Sequence, residues 1–306
     1  VQRRTFLKTL GAGVWTGAHL ALLGRGQRAD AGEVTAGAVP DLVAVKNGEP
    51  EALFDRGIEA LGGMGRFVKK GQRVVVKPNI GWNVPPERAA NTNPRLVRRI
   101  VEHCLQAGAR EVYVFDHTCD DWRDCYRTSG IEQAVKEAGG KIAPGNSEGY
   151  FQQIALPHGQ RLRAAKEHEL ILGADVVINV PVLKSHGGAK LSVAMKNLMG
   201  VVWDRGEWHA NDLPQCIADF TTYRKPDLNV VDAYNVLQRH GPRGVSENDV
   251  VRQRSQLLTT DLVTADAAAA KLFGVEPDTV DYIRIAHAMG VGRKDLENLV
   301  IRRIVL

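Results

Sequence analysis

Four cysteines in 306 residues are too few for a disulfide scaffold, and none of them stands in a C-x-x-C pair. Cys104, Cys119, Cys125 and Cys216 therefore lack the spacing of a zinc finger or an iron–sulfur cluster. No run of eighteen apolar residues occurs, which excludes a protein of several membrane-spanning helices. Net charge is also scarce once the N-terminus is set aside. The chain has 40 Lys and Arg against 35 Asp and Glu, a net of +5. Residues 1–31 hold Arg3, Arg4, Lys8, Arg25 and Arg28 against Asp30 alone, so the rest carries 35 basic and 34 acidic side chains. That near-neutral body is no electrostatic footprint for nucleic acid, and no nucleic-acid partner is expected. What is present suits a packed core: 44% apolar and 25% charged residues exclude disorder and collagen.

The first segment reads as an address. Arg3-Arg4-Thr5-Phe6-Leu7-Lys8 precedes a weakly apolar, Gly-rich run over 9–24 and the small residues around Ala29-Asp30-Ala31. Charged region, apolar region and small-residue cleavage site are the parts of an export signal. The paired arginines ahead of Phe-Leu-Lys resemble the twin-arginine signal. The expectation is that residues 1–31 engage the twin-arginine export machinery and that 32–306 is a periplasmic protein. Cys119 and Cys125 are then candidates for a disulfide, while Cys104 sits in the apolar stripe of a helix and reads as core.

From residue 41 the pattern alternates strand and helix. Residues 42–45 form a short apolar strand, 50–61 a helix closed by Gly62-Gly63, and 73–76 a β-branched, buried strand. Asn93-Pro94 opens a helix, with Asn as N-cap and Pro at the first helical position. Its apolar residues Leu96, Val97, Ile100, Val101, Cys104 and Leu105 follow the 3.6 period, and Gly108 ends it. Strands at 111–115, 176–180, 229–231 and 299–305 and helices at 131–138, 189–199, 265–273 and 279–289 follow. This order predicts a single α/β domain over 32–306, in one lobe or two. Its mostly parallel sheet carries helices on both faces, and the weakest join falls at 144–173.

Ligands of such sheets sit at the carboxyl ends of the strands. There the chain places Lys77-Pro78-Asn79, Asp116-His117-Thr118, Lys184-Ser185-His186-Gly187-Gly188, Asp232 and, further on, His240-Gly241-Pro242-Arg243-Gly244. Each has a plain structural reading, as a solvated turn lysine or a histidine tied to a loop carbonyl. Lys190 and Lys196 would then line the wet face of a helix. The coincidence across four strand ends points to a site. In the stretch 184–188, two glycines between a strand and a helix would let backbone N–H groups approach an anion. Lys184 adds a full charge, and His186 can carry a proton or bind a metal near neutral pH. The stretch is neither a Walker loop nor a G-x-G-x-x-G fingerprint. His209, behind Trp203-Asp204-Arg205-Gly206-Glu207-Trp208, is as apt to be structural as functional.

Several of these strings, in this order and spacing, resemble the domain of unknown function 362 family over roughly residues 70–292. They are Val75-Val76-Lys77-Pro78-Asn79, Phe115-Asp116-His117, the stretch from Ala174-Asp175 to Lys184-Ser185-His186, Met195-Lys196-Asn197-Leu198-Met199-Gly200, His240-Gly241-Pro242-Arg243-Gly244 and Ala265-Asp266-Ala267. The resemblance implies an iron–sulfur redox partner, because members are often linked to ferredoxin modules. It implies no cluster in this chain, which lacks the cysteines, and it supplies no settled reaction. A remoter likeness of layout is to lactate racemase, a nickel-pincer enzyme. It implies His117 and His186 as a paired acid and base for proton or hydride transfer. It also implies Lys196 as anchor of a nickel-pincer-like nucleotide cofactor and His209 as a metal ligand, with Asp116 a further candidate ligand.

The expectation is thus an anion- or metal-cofactor site on the sheet's carboxyl edge that takes a small anionic ligand. Lys77, Asn79, Lys184, Gly187, Gly188 and Lys196 would bind, and His117 and His186 would react. The rival expectation is a non-catalytic redox-partner or ligand-binding module working beside an iron–sulfur protein.

Overall fold

Alternating β-branched runs and amphipathic stretches resolve, in the computed structural model, into twelve strands and ten α-helices among the described residues, 39–306. The expected export signal lies outside them. The first half runs β1 (Leu42–Lys46), α1 (Pro50–Ala60), β2 (Arg73–Pro78), α2 (Pro94–Gln106), β3 (Glu111–Val114), α3 (Trp122–Thr128), α4 (Ile131–Glu137) and β4 (Lys141–Ile142). Next come β5 (Phe151–Ala155), β6 (Ala164–His168), α5 (Glu169–Leu172), β7 (Val176–Val180), β8 (Val182–His186), β9 (Lys190–Ser192) and α6 (Ala194–Asn197). The remainder is α7 (Arg205–Ala210), α8 (Leu213–Phe220), β10 (Leu228–Leu237), β11 (Val250–Thr259), α9 (Leu262–Phe273), α10 (Asp281–Ala288) and β12 (Ile301–Val305).

Ten strands share one sheet in the order β12-β1-β11-β10-β7-β2-β3-β4, with β8 beside β10 and β9 beside β8. Neighbours pair in parallel except β1 with β11, β10 with β11 and β8 with β9. The sheet is mostly parallel and covered on both faces, the α/β architecture expected of this alternation. Period-two geometry sends Val74, Val76, Val112 and Val114 to one side, where α1 to α4 pack, and Val75 and Phe115 to the other. On that second side lie α6, α8, α9 and α10. The Asn93 side chain caps α2 by accepting from Arg95 N at 3.0 Å, and Pro94 occupies the first turn.

Two expectations are corrected. The stretch 189–199 is not one helix. Residues 190–192 form β9, Val193 is still extended at φ −143°, and α6 is a single turn that starts only at Ala194. Leu191, Val193, Ala194 and Leu198 are all buried, so a stretch buried on every side mimicked helical spacing. For the same reason 184–188 is not a loop ahead of a helix N-terminus. Lys184, Ser185 and His186 pair antiparallel with residues 190–192, and the two glycines form the turn of that hairpin. Residues 144–173 carry a separate two-stranded hairpin, β5–β6. All four cysteines are free thiols, Cys104 buried in the core and Cys119 exposed.

Candidate functional site

A cavity of about 410 Å³ opens where β2 and β3 end. β7 runs through Pro181 into β8, and both parts pair with the long strand β10. The hairpin β8–β9 thus extends past the ends of β2 and β3 and walls the cavity. Within β8, residues two apart share a face, so Lys184 and His186 both line the cavity. Ser185, on the other face, accepts a hydrogen bond at Oγ from Gly241 N at 3.0 Å, which brings Pro242 to the rim. Helix α7 contributes Arg205 and His209 from outside the sheet.

The floor is a buried polar network. The Lys77 ammonium, wholly inaccessible, lies 2.8 Å from Asp116 Oδ1 and donates to Pro78 O at 2.7 Å and Asn197 Oδ1 at 3.1 Å. Asp116 Oδ2 accepts from Ile80 N at 2.7 Å. Asn197 Nδ2 donates to Asn179 Oδ1 at 2.8 Å, and Asn179 donates in turn to Asn229 Oδ1 at 3.0 Å. One chain of amides therefore ties α6 to β7 and β10. From α9, the buried Asp266 carboxylate accepts from Ala194 N and Met195 N, which caps the single turn carrying Lys196 and Asn197. Gly200 is required here. A methyl group on it would lie 1.8 Å from Asp116 Oδ1.

Among the described residues three lysines meet this cavity, and only one has a carboxylate partner. Lys184, 1% exposed, donates to Asn79 Oδ1 at 2.9 Å and Ala90 O at 2.5 Å. Lys196, 9% exposed, has among the described residues only the Met199 thioether at 3.4 Å. Arg205 spends its guanidinium on the carbonyls of His117 and Thr118. Burial pushes Lys184 down to about 7 and Lys196 down to about 8, and it lowers Lys77 against the pull of Asp116. The neutral body of the chain thus concentrates uncompensated positive charge at one place.

The histidines are held differently. His117 Nδ1 lies 2.9 Å from Val202 O, an acceptor, so that nitrogen carries the proton and Nε2 is left with a lone pair. Its ring stacks on Trp203 at 4.9 Å with 3° between planes and lies 5.6 Å from Phe151. His186 Nδ1 instead accepts from Gly188 N at 3.0 Å and Ala189 N at 3.2 Å, which puts the proton of the neutral ring on Nε2. Burial and the neighbouring Lys196 and Lys184 push His186 down to about 3. Burial first, then Arg205, lowers His117. The His209 ring lies 6.3 Å from that of His186.

Lys77, Asn79, Asp116, His117, Lys184, His186, Lys196 and His209 therefore all line one cavity. Gly187 and Gly188 do not line it, and a side chain at Gly187 would meet nothing within 4 Å. Their place is to turn the hairpin, with the Gly188 amide spent on His186. Asp232 is not at the strand end either. It lies within β10 and accepts from Asn93 N at 2.7 Å, supporting the start of α2. As a metal ligand Asp116 is already committed to Lys77, and among the described residues no three His, Cys, Asp or Glu side chains converge on one point. Sequence reasoning missed Cys119, Ser192, Asn197, Gly200 and Arg205. Asn197 and Gly200 stood inside a family-like string, whereas nothing local marked Arg205.

The fold and this lysine- and histidine-lined strand edge define the class. The chain belongs to the family described as a domain of unknown function, DUF362, whose model matches residues 74–271. A thylakoid-associated protein of Synechocystis sp. is 27% identical over 250 residues, spanning 76% of this chain and 73% of that one. Among solved structures, the lactate racemase apoprotein from Thermoanaerobacterium thermosaccharolyticum has 12% identity and a TM-score of 0.44, over 80% of this chain and 56% of that one. A protein from Thermotoga maritima has 12% identity and a TM-score of 0.48, over 74% and 60%. This chain thus spans less than two thirds of either solved chain.

Proposed function

We propose that the protein binds a small organic anion in this cavity and acts on it as an enzyme by proton transfer. The observation that carries the reading is the set of cations around one cavity, of which Lys184, Lys196 and Arg205 have no carboxylate partner among the described residues. A buried ammonium without a counter-charge is costly, and a bound carboxylate or phosphate would supply the missing charge. The cavity's size is that of a small-molecule pocket. The histidines take unequal parts. His117 Nε2 is the proton acceptor, fixed by Val202 and Trp203. His186, neutral with Nε2–H, is a hydrogen-bond donor to developing charge rather than a second base.

A nickel-pincer-like nucleotide suits the cations and poorly suits the donor set, which among the described residues offers no three converging metal ligands. Its metal would have to be held chiefly by the cofactor itself, with Lys184, Lys196 and Arg205 holding the anionic part. Such a group would supply hydride chemistry, and the proton step assigned to His117 does not depend on it. Titration calorimetry with phosphate and small carboxylates tests the reading. Binding that weakens in Lys196→Met supports it, whereas no heat with any anion removes it. His117→Gln should retain binding and lose turnover. For residues 1–31 we propose a signal for twin-arginine export to the periplasm. The R3K/R4K variant should then accumulate as precursor, and its normal export would refute this.

A further inference from the structure

We propose that Lys196 is a nucleophilic amine that forms an imine with a carbonyl-bearing organic acid, a 2-oxo acid, held in the cavity. The inference rests on the anion-binding reading above and deepens it by naming the substrate class. Of the three lysines at the cavity, Lys77 is bound by a carboxylate, a carbonyl and an amide oxygen. Lys184 is bound by an amide oxygen and a carbonyl. Neither ammonium can leave those partners without stranding buried acceptors. Among the described residues Lys196 has no oxygen acceptor, only a sulfur at 3.4 Å, although its side chain is nearly as buried. A buried lysine in this condition sheds its proton readily, and its pKa of about 8 places the neutral amine within reach of physiological pH.

The surroundings suit the chemistry. The amine's backbone is fixed by the Asp266 cap and the Asn197–Asn179 amide chain, so its origin is pre-organised. Arg205 remains as fixed positive charge for the acid's carboxylate, and Lys184 adds to it in the fraction that stays protonated near its pKa of about 7. The amine nitrogen adds to the carbonyl carbon, and the carbonyl oxygen takes up the proton that the nitrogen loses. The resulting carbinolamine then expels that oxygen as water, leaving a C=N bond. No oxidant or reductant takes part. His186 Nε2–H and His209 line the same cavity and are suited to donate hydrogen bonds to the departing oxygen.

The test uses the intact protein with pyruvate and, separately, glyoxylate, each with cyanoborohydride to reduce an imine to a stable amine. With pyruvate the expected result is a single mass increase of one pyruvic acid less one oxygen, mapped by peptide digestion to Lys196. It should form at least tenfold faster than labelling of any surface lysine and be absent in Lys196→Arg. Labelling spread evenly over exposed lysines would overturn the inference. Calorimetric binding of pyruvate without an adduct at Lys196 would overturn it while leaving the anion-binding reading intact. Absence of both binding and adduct would overturn both. Circular dichroism of Lys196→Arg, with thermal melting, separates a lost nucleophile from a lost fold.

Discussion

At Gly200 a single added methyl would fall 1.8 Å from Asp116 Oδ1 and 2.7 Å from Lys77 Nζ. Both groups are buried, so neither can retreat into water. Gly200→Ala is expected to lose about 1–3 kcal/mol of stability in a denaturant titration. An unchanged midpoint would mean that the pair is not held as described. The lysines make a second residue-scale prediction, with a definite sign. In the unfolded chain Lys196 titrates near 10.5, in the folded chain at about 8. Between those values the unfolded state binds more protons, so this group makes stability rise with pH across that window. Below pH 8 both states are charged and the cost of burying the ammonium is fully present. Lys196→Met should therefore be more stable than the parent at pH 7, and the advantage should shrink towards pH 10.5. Urea titrations at pH 7 and pH 10 measure the difference, and equal differences would contradict the burial of a charged Lys196.

The hairpin β8–β9 and the single turn α6 decide where the charges stand. Gly187→Val should leave anion affinity unchanged, because the turn faces open space. Gly241→Ala would set a methyl 1.8 Å from Ser185 O, forcing the hairpin from the Pro242 rim, and is expected to weaken binding severalfold by calorimetry. The reverse ranking would restore the turn itself as the binding element. Asp266→Asn turns an amide NH₂ towards one of two backbone N–H donors. It should cost about 1–2 kcal/mol and slow the labelling of Lys196. These elements also mark the limits of what was legible beforehand. Strands β2 and β7 were readable because Val74-Val75-Val76 and Val176-Val177-Ile178 are buried on both faces and carry no competing helical signal. The hairpin was not, because Leu191, Val193, Ala194 and Leu198 mimic a helix when every side is buried. Lys184 and His186 were recognised from their place after a strand, yet their common face follows from β8 being a strand itself. Arg205 enters from α7, and only the folded chain brings that helix to the cavity.

Outside residues 1–31 positive charge is almost balanced by negative, and among the described residues two buried lysines without a carboxylate partner, Lys184 and Lys196, stand at one cavity on the carboxyl edge of a mostly parallel sheet. The network from Asn229 through Asn179 and Asn197 to Lys77 makes that edge rigid, and the aromatic rings of Trp203 and Phe151 hold His117 against it. Membership of the DUF362 family fixes the class without fixing a reaction, so the claim stands on the cations and what they attract. The most direct measurement is calorimetric titration of the intact protein at pH 6.5 and pH 9 with acetate and with sulfate, anions that form no imine and keep one charge over that range. The account predicts one site per chain, with affinity falling as Lys184 and Lys196 lose their protons above about 7 and about 8, and weaker binding in Lys196→Met. Equal affinity at both pH values and in the variant, or no binding of either anion, would contradict it.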